Sequence, residues 1–188
     1  MNKLKKVFIL FLVCMFSAVS GLWFYAYIEK HVLYPLKYKE EILAYSTLYN
    51  LDPLLISALI NVESSFKENA ASNKGAKGLM QLTDSTATYI AVMLGEDFFD
   101  LFDAKTNIRY GTFYLRYLLN KFGNVKTALA SYNAGEGNVK SWLKNPNYSD
   151  DGITLKKIPF IETDNYLKKI YKSLEKYQKL YGNLLDKP

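Results

Sequence analysis

Cysteine and histidine are almost absent from this chain, which holds one of each among 188 residues. Cys14 lies within an N-terminal apolar run, so an intramolecular disulfide is excluded, and the rest of the chain has no thiol that could serve as a nucleophile. His31 directly follows the same run. Since zinc sites are built from Cys, His and carboxylate ligands, we predict no metal site, and no motif indicates a cofactor.

The folded part of the chain also has little excess charge, although the net charge of the whole is +6. Residues 1–37 hold five lysines against one acid, and the remaining residues hold 19 basic and 17 acidic side chains. A nucleic-acid-binding domain concentrates basic residues on one face. The last predicted helix carries a lysine group that we interpret as a solvated face: Lys168, Lys169, Lys172, Lys176 and Lys179. We therefore predict no nucleic-acid partner, and the sequence indicates no particular protein partner.

Residues 7–28 form an almost wholly apolar run. About 20 such residues span a bilayer. Three lysines precede the run, and aromatic residues gather at its far end, as membrane interfaces favour. We predict a single-pass membrane anchor at 1–30, with its helix at about 7–28, a connector at 31–39, and a domain at 40–188 on the extracytoplasmic side.

Two other readings of this run stay open. Ala18-Val19-Ser20 before Gly21 resembles the cleavage site of a signal peptide. A lipoprotein signal at Cys14 fits less well, because Val13 stands where such sites usually have a small residue. All three readings export the domain.

Beyond the connector, apolar residues recur at helical spacing, and no long alternating pattern indicates a strand. Helices are expected to begin after the cap residues Asp52, Thr83, Asp103 and Asn124. A brief helix at Val139–Leu143, an extended piece at Thr154–Ile158 and a long helix from Thr163 complete the expectation. The predicted fold is one mainly α domain.

Glu63 stands where the strongly apolar helix predicted at Pro53–Val62 meets a polar loop. Burial disfavours the charged form of a carboxyl group and raises its pKa, and such an acid can donate a proton near neutrality. Leu59, Phe66 and Met80 are expected as its apolar walls. The alternative is a glutamate that ends a helix with its carboxyl group in solvent.

Four strings follow in order: ESSF (63–66), GAKGLMQL (75–82), ASYNAG (130–135) and IPFIET (158–163). In this order and at this spacing, the chain resembles the catalytic domain of lytic transglycosylases of the soluble-lytic-transglycosylase type, which are related to goose-type lysozymes. The resemblance covers about residues 41–180. It implies a single lysozyme-like α-helical domain behind the predicted N-terminal transmembrane helix.

The resemblance also implies an activity: cleavage of the β-1,4 bond between N-acetylmuramic acid and N-acetylglucosamine in peptidoglycan glycan strands, with a 1,6-anhydro ring in the product. The 2-acetamido group of the sugar would stabilise positive charge at C1 while the muramic O6 hydroxyl attacks. One carboxyl group would then act first as acid and next as base, and Glu63 matches it.

Five further residues match substrate-binding positions of the family, each with a plainer structural alternative. Ser72 and Gln81 would contact sugar groups, or else stabilise their loop. Tyr132 would hydrogen-bond near Glu63 or orient the acetamido group, and Asn133 would face the cleft or brace the turn before Gly135. Glu162 would place a partner group, or else stand in the first turn of a helix that favours an acid there. Tyr166 is expected to pack beneath the site.

Two other functions remain open at this stage. A hydrolytic muramidase would let water attack the same bond in place of O6, a choice that depends on cleft shape. A non-catalytic peptidoglycan-binding module of the cell envelope would be expected to lack the acid, which this chain has.

Overall fold

The computed structural model describes residues 2–185, apart from the side chains of Lys6, Leu184 and Leu185. The chain divides between Pro35 and Leu36 into two units. In the first unit, helix α1 (Lys3–Ile28) continues into a π-helical turn at Glu29–Leu33. The resulting helix of 31 residues is apolar and long enough to cross a membrane, and a signal sequence would share these properties. It extends five residues beyond the predicted apolar span.

The second unit begins with two helices joined by a tight turn. Helix α2 (Lys39–Leu48) is followed by Asn50, which takes a left-handed conformation with φ 50°. Asp52 then caps helix α3 (Pro53–Ser64) by accepting a 2.7 Å hydrogen bond from the Leu54 amide. Because α3 is apolar around most of its surface, it is buried for most of its length and packs against the long last helix.

Cap residues set the starts of the next three helices, as predicted. Thr83 caps α4 (Asp84–Leu94), Asp103 caps α5 (Ala104–Phe122), and Asn124 caps α6 (Val125–Ala134), each through a side-chain oxygen that accepts a backbone amide. The first two end at left-handed glycines, Gly95 and Gly123. Helix α5 packs against α2 and α6, so it crosses the middle of the domain.

The last two helices begin earlier than predicted. Helix α7 (Glu136–Leu143) starts three residues before Val139, and α8 (Ile161–Leu185) starts two residues before Thr163. The predicted start of α7 was too late because glycine generally disfavours a helix, whereas Gly137 is tolerated within the first turn of α7. The predicted mainly α fold is confirmed.

The few strands do not lie where the sequence indicated one. Residues 154–158 form bends rather than a strand. Strands β1 (Ala76–Lys77) and β2 (Leu82–Thr83) instead pair antiparallel across the GAKGLMQL string and the threonine that follows it. Two residues per strand are too few to show an alternating pattern, so this hairpin could not be recognised from periodicity.

Candidate active site

A pocket of about 390 Å³ lies among α3, the β1–β2 hairpin, the end of α6 and the start of α8. The six residues singled out from the sequence all line it: Glu63, Ser72, Gln81, Tyr132, Asn133 and Glu162. The elements that carry them are far apart in sequence, so packing of α3 against α8 and of α6 against α8 brings them together.

Glu63 occupies the last turn of α3, one residue before the helix ends. Ser65, the first residue after the helix, is left-handed with φ 52°, which turns the chain away from the helix axis. Protein atoms surround most of the Glu63 carboxyl group, and the residue keeps partial exposure where it lines the pocket. The predicted site acid is therefore inside a pocket and not in bulk solvent.

Two opposing influences set the pKa of Glu63. Burial raises the pKa to about 7, and a hydrogen bond from Tyr166 works in the other direction. The Tyr166 hydroxyl donates to Glu63 Oε1 at 2.5 Å, across 103 residues of sequence. Because a bond of this kind favours the carboxylate while desolvation favours the neutral acid, both protonation states are accessible near neutral pH.

Tyr132 lies close to this carboxyl group without bonding to it. Its hydroxyl donates to the main-chain oxygen of Met80 at 2.9 Å, which ties α6 to the hairpin. Burial and the charge of Glu63 raise the pKa of Tyr132 well above its ordinary value. Tyr132 therefore stays neutral and holds the hairpin to α6 beside the pocket that contains Glu63.

Asn133 is exposed at the pocket and bonds to the start of α8. Its Oδ1 accepts a 2.8 Å hydrogen bond from the hydroxyl of Thr163. Since this bond joins the ends of two helices that both contribute to the pocket, Asn133 holds their relative position, and its amide NH₂ is the group that can face a ligand.

Ser72, in the loop before the hairpin, and Gln81, within the hairpin, use part of their hydrogen-bonding capacity on nearby backbone groups. Ser72 Oγ accepts from the amides of Lys74 and Ala76 at 3.3 and 3.0 Å. The Gln81 NH₂ donates to the oxygens of Ala70 and Gly78 at 3.1 and 2.9 Å. The Gln81 amide oxygen and the Ser72 hydroxyl hydrogen are the groups that can reach a ligand.

Asn107, a residue that the sequence analysis did not single out, anchors the hairpin from below. Its fully buried side chain accepts from the Met80 amide at 2.7 Å and donates to the oxygens of Lys77 and Leu101 at 3.0 and 2.8 Å. Gly78 passes directly over it, and a Cβ there would lie 2.1 Å from Asn107 Nδ2. The close approach explains why glycine is required at this position of GAKGLMQL.

Glu162 stands in the first turn of α8, where its exposed carboxylate pairs with the Lys74 ammonium at 3.0 Å. Lys74 also lines the pocket, as do Tyr114 and Thr86, and none of these three was predicted.

Leu59, Phe66 and Met80, which were expected as walls of the pocket, are buried in the core and do not line the pocket. Tyr166 was expected only to pack beneath the site, yet it bonds directly to the acid. Among the described residues, no group of three or more His, Cys, Asp or Glu side chains is placed to hold a metal ion.

Together these features define a lysozyme-like helical domain in which, within residues 2–185, one buried carboxyl group lies in the cleft. The sequence signature of the Transglycosylase SLT domain family matches residues 40–153. The chain belongs to this family.

Named relatives match the same region. A soluble lytic murein transglycosylase of Escherichia coli is 34% identical over 161 residues, which cover 82% of this chain and 24% of that protein. A membrane-bound lytic murein transglycosylase F of Desulfosudis oleivorans is 39% identical over 99 residues, covering 49% of this chain and 20% of the relative. The chain thus spans about a quarter or less of the length of these curated relatives.

Solved structures agree with the fold. The inactive mutant of lytic transglycosylase Slt from Pseudomonas aeruginosa superposes with a TM-score of 0.69 at 32% identity, covering 78% of this chain and 25% of that one. The 70 kDa soluble lytic transglycosylase of E. coli also gives 0.69 at 32% identity, with 79% of this chain and 25% of that chain covered.

Proposed function

We propose that this protein is a peptidoglycan lytic transglycosylase that cleaves the β-1,4 bond after N-acetylmuramic acid and leaves 1,6-anhydro ends. The observation that carries the proposal is the Glu63 carboxyl group, buried in a pocket with its pKa at about 7. Family membership and the names of the relatives support the substrate class. One solved relative is an inactive mutant in which glutamine replaces a glutamate, which fits an essential acid in that protein.

In the proposed reaction, protonated Glu63 donates its proton to the glycosidic oxygen as the bond from C1 breaks. The acetamido group of the muramic residue stabilises the positive charge that develops at C1. The O6 hydroxyl then attacks C1, and the Glu63 carboxylate accepts the proton from O6, so the acid is regenerated. A pKa near the working pH suits a group that must act in both directions.

The surroundings of Glu63 support the assignment of both roles to one residue. The other carboxylate of the pocket, Glu162, is exposed and ion-paired with Lys74. A retaining hydrolase would need a second carboxylate placed to attack C1. Gln81, Ser72 and Asn133 offer an amide oxygen, a hydroxyl and an amide NH₂ for sugar hydroxyl and acetamido groups.

We further propose that the N-terminal helix tethers the domain to the cell membrane as a single span, with the domain on the extracytoplasmic side, where peptidoglycan lies. The apolar helix and the membrane-bound relatives support this arrangement.

The test is digestion of purified sacculi by the full chain in detergent, with the products analysed by mass spectrometry. We expect anhydro-muramic ends, and Glu63→Gln should lower the rate by roughly 10²–10⁴-fold because the proton donor is lost. Glu68→Gln, which removes an exposed glutamate nearby, is the control. Reducing ends would instead identify a hydrolytic muramidase, and binding without cleavage by the unaltered chain would identify a non-catalytic module.

A further inference from the structure

An ion pair joins two elements that line the candidate pocket. The Lys74 ammonium lies 3.0 and 3.1 Å from the two carboxylate oxygens of Glu162, although 88 residues separate the two in sequence. Both side chains are largely exposed, at 78% and 71%. Because an ion pair so exposed contributes little net stability, its presence in the cleft calls for a reason other than holding the fold.

Hydrogen bonds fix the backbone that carries Lys74, while its side chain is largely exposed to solvent. Ser72 Oγ accepts hydrogen bonds from the Lys74 and Ala76 amides, and the main-chain oxygen of Ser72 accepts a 3.0 Å hydrogen bond from the Gly75 amide. Gly75 completes this turn with φ +80°. The turn presents the ammonium group at the pocket without further ordering of the loop.

The charges of the pocket make Lys74 important for any anionic ligand. Glu162 lines the pocket, so a carboxylate entering it would be repelled by the negative charge of Glu162, and also by Glu63 whenever Glu63 is ionised. Within the described part of the chain, Lys74 is the one basic side chain among the lining residues. A ligand carboxylate that takes the place of Glu162 would keep the ammonium paired, at little cost, since the original pair is exposed.

We propose that Lys74 is a specificity-determining residue that binds a carboxylate of the substrate in exchange for Glu162. This inference rests on the proposed function, in which the substrate is a glycan that contains muramic acid. Two sources of the carboxylate exist in such a polymer: the lactyl group of a muramic residue without peptide, and the stem peptide of a substituted one. N-acetylglucosamine carries neither, so the contact distinguishes the two sugars.

The test compares two glycan substrates, strands with intact stem peptides and strands from which an amidase has removed them to leave free lactyl carboxylates. Lys74→Met in the full chain should lower kcat/KM about tenfold, by raising KM, on the substrate that carries the carboxylate bound by Lys74. A change of this size is expected for loss of a charge-assisted hydrogen bond. A fall on peptide-bearing strands alone assigns the stem peptide, and a fall on stripped strands alone assigns the lactyl group. Falls on both substrates mean that either carboxylate is accepted.

Lys77→Met is the matched control, because Lys77 lies on the same hairpin, pairs with Asp84 at 2.8 Å and does not line the pocket. We expect less than about a twofold change from it. A neutral chitooligosaccharide, used as a competitive inhibitor, supplies a ligand without carboxylates. The inference is overturned if Lys74→Met weakens binding of this inhibitor as much as it raises KM for the glycan strands. It is also overturned if Lys74→Met changes kcat/KM no more than Lys77→Met does on both glycan substrates.

Charge reversal separates recognition from a purely structural bridge. Lys74→Glu combined with Glu162→Lys restores an ion pair of opposite direction. If Lys74 only links the two walls, the double variant should recover the KM of the unaltered chain, and that result would also overturn the inference. Lys74→Arg should retain most of the discrimination. Failure of the unaltered chain to release anhydro ends would count against the proposed function itself, whereas normal cleavage without any effect of Lys74 would count only against this inference.

Discussion

At the scale of single residues, burial and the contact with Tyr166 together set the pKa of the candidate acid Glu63. Burial raises the pKa of Glu63 to about 7, and the 2.5 Å hydrogen bond from Tyr166 limits that rise by stabilising the carboxylate. The two residues lie on α3 and α8, the helices whose packing forms the back of the site.

The first prediction concerns Tyr166→Phe. Loss of the hydroxyl removes a bond that favours the charged form, so the pKa of Glu63 should rise. In a plot of kcat/KM against pH, the basic limb should shift to higher pH by about 1 unit, since the lost hydrogen bond is charge-assisted. Tyr132→Phe is the control because that hydroxyl bonds to Met80, and its limb should stay in place. If the limb does not shift in Tyr166→Phe, the observed limb does not report the ionisation of Glu63.

The second prediction links Glu63 to stability. Its folded pKa of about 7 exceeds the ordinary value of 4.5, so between these pH values the folded state binds more protons than the unfolded state. Stability is therefore lost as pH rises from about 4.5, and the loss is complete above about 7. Glu63→Gln removes this ionisation.

The free energy of unfolding of Glu63→Gln should consequently exceed that of the unaltered chain by on the order of 2 to 3 kcal/mol at pH 8, and by much less at pH 4.5. Urea unfolding followed by circular dichroism at both pH values measures the difference. The exposed Glu68→Gln should show no such dependence. An equal difference at both pH values would mean that Glu63 is not desolvated in solution.

At the scale of elements, the β1–β2 hairpin is a rigid part of the site because Asn107 holds it from the core. Gly75 and Gly78 both have positive φ, at +80° and +76°, but only Gly78 lies against other atoms. A Cβ at Gly78 would lie 2.1 Å from Asn107 Nδ2 and 2.2 Å from the Leu101 oxygen, and a Cβ at Gly75 would meet nothing within 4 Å.

The third prediction uses this pair of glycines. Alanine at either position incurs the cost of a left-handed residue, about 1 kcal/mol. Gly78→Ala should lose roughly 1 to 3 kcal/mol more than Gly75→Ala, because it also displaces Asn107 and Leu101. Thermal unfolding measures the difference, and glycan cleavage should fall with Gly78→Ala. Equal losses would show that the hairpin moves easily away from Asn107.

At the scale of the whole molecule, the chain combines an apolar helix at Lys3–Leu33 with a helical domain that begins after Pro35. The family signature starts at residue 40, so the N-terminal helix lies outside the part that identifies the family. Its function therefore depends on its own length and composition.

The fourth prediction concerns this helix. If it is an uncleaved anchor, the full chain should stay with membranes after alkaline carbonate washing, and protease added from the extracytoplasmic side should digest the domain. Deletion of residues 1–30 from a chain given a separate secretion signal should release the domain into the soluble fraction. N-terminal sequencing tests the alternative, because a mature protein that begins at Gly21 would identify a cleaved signal peptide.

Much of the fold could be predicted from the sequence because its signals are local. Asp52, Thr83, Asp103 and Asn124 each cap a helix as expected, since a cap bond joins residues two or three positions apart. The hairpin at 76–83 could not be predicted, because its two-residue strands exist only where Asn107 and the glycine turn hold them.

The candidate site divides in the same way. The four strings indicated the family, and the six residues matched to it, five within the strings together with Ser72, line one pocket. Their individual contacts were not predictable: Asn133 bonds to Thr163, Glu162 pairs with Lys74, and Tyr166 donates to Glu63. Each of these contacts joins segments that are 30 or more residues apart.

The sequence by itself determined the helical class, the four capped helix starts, the family and the apolar N-terminal run, because each follows from residue types within a few positions of one another. Only the tertiary structure decided that Glu63 is desolvated, that Tyr166 opposes the resulting rise in its pKa, and that Lys74 faces Glu162 across a cleft. Desolvation and charge pairing depend on which distant segments meet in space, and that meeting is settled when α8 packs against α3.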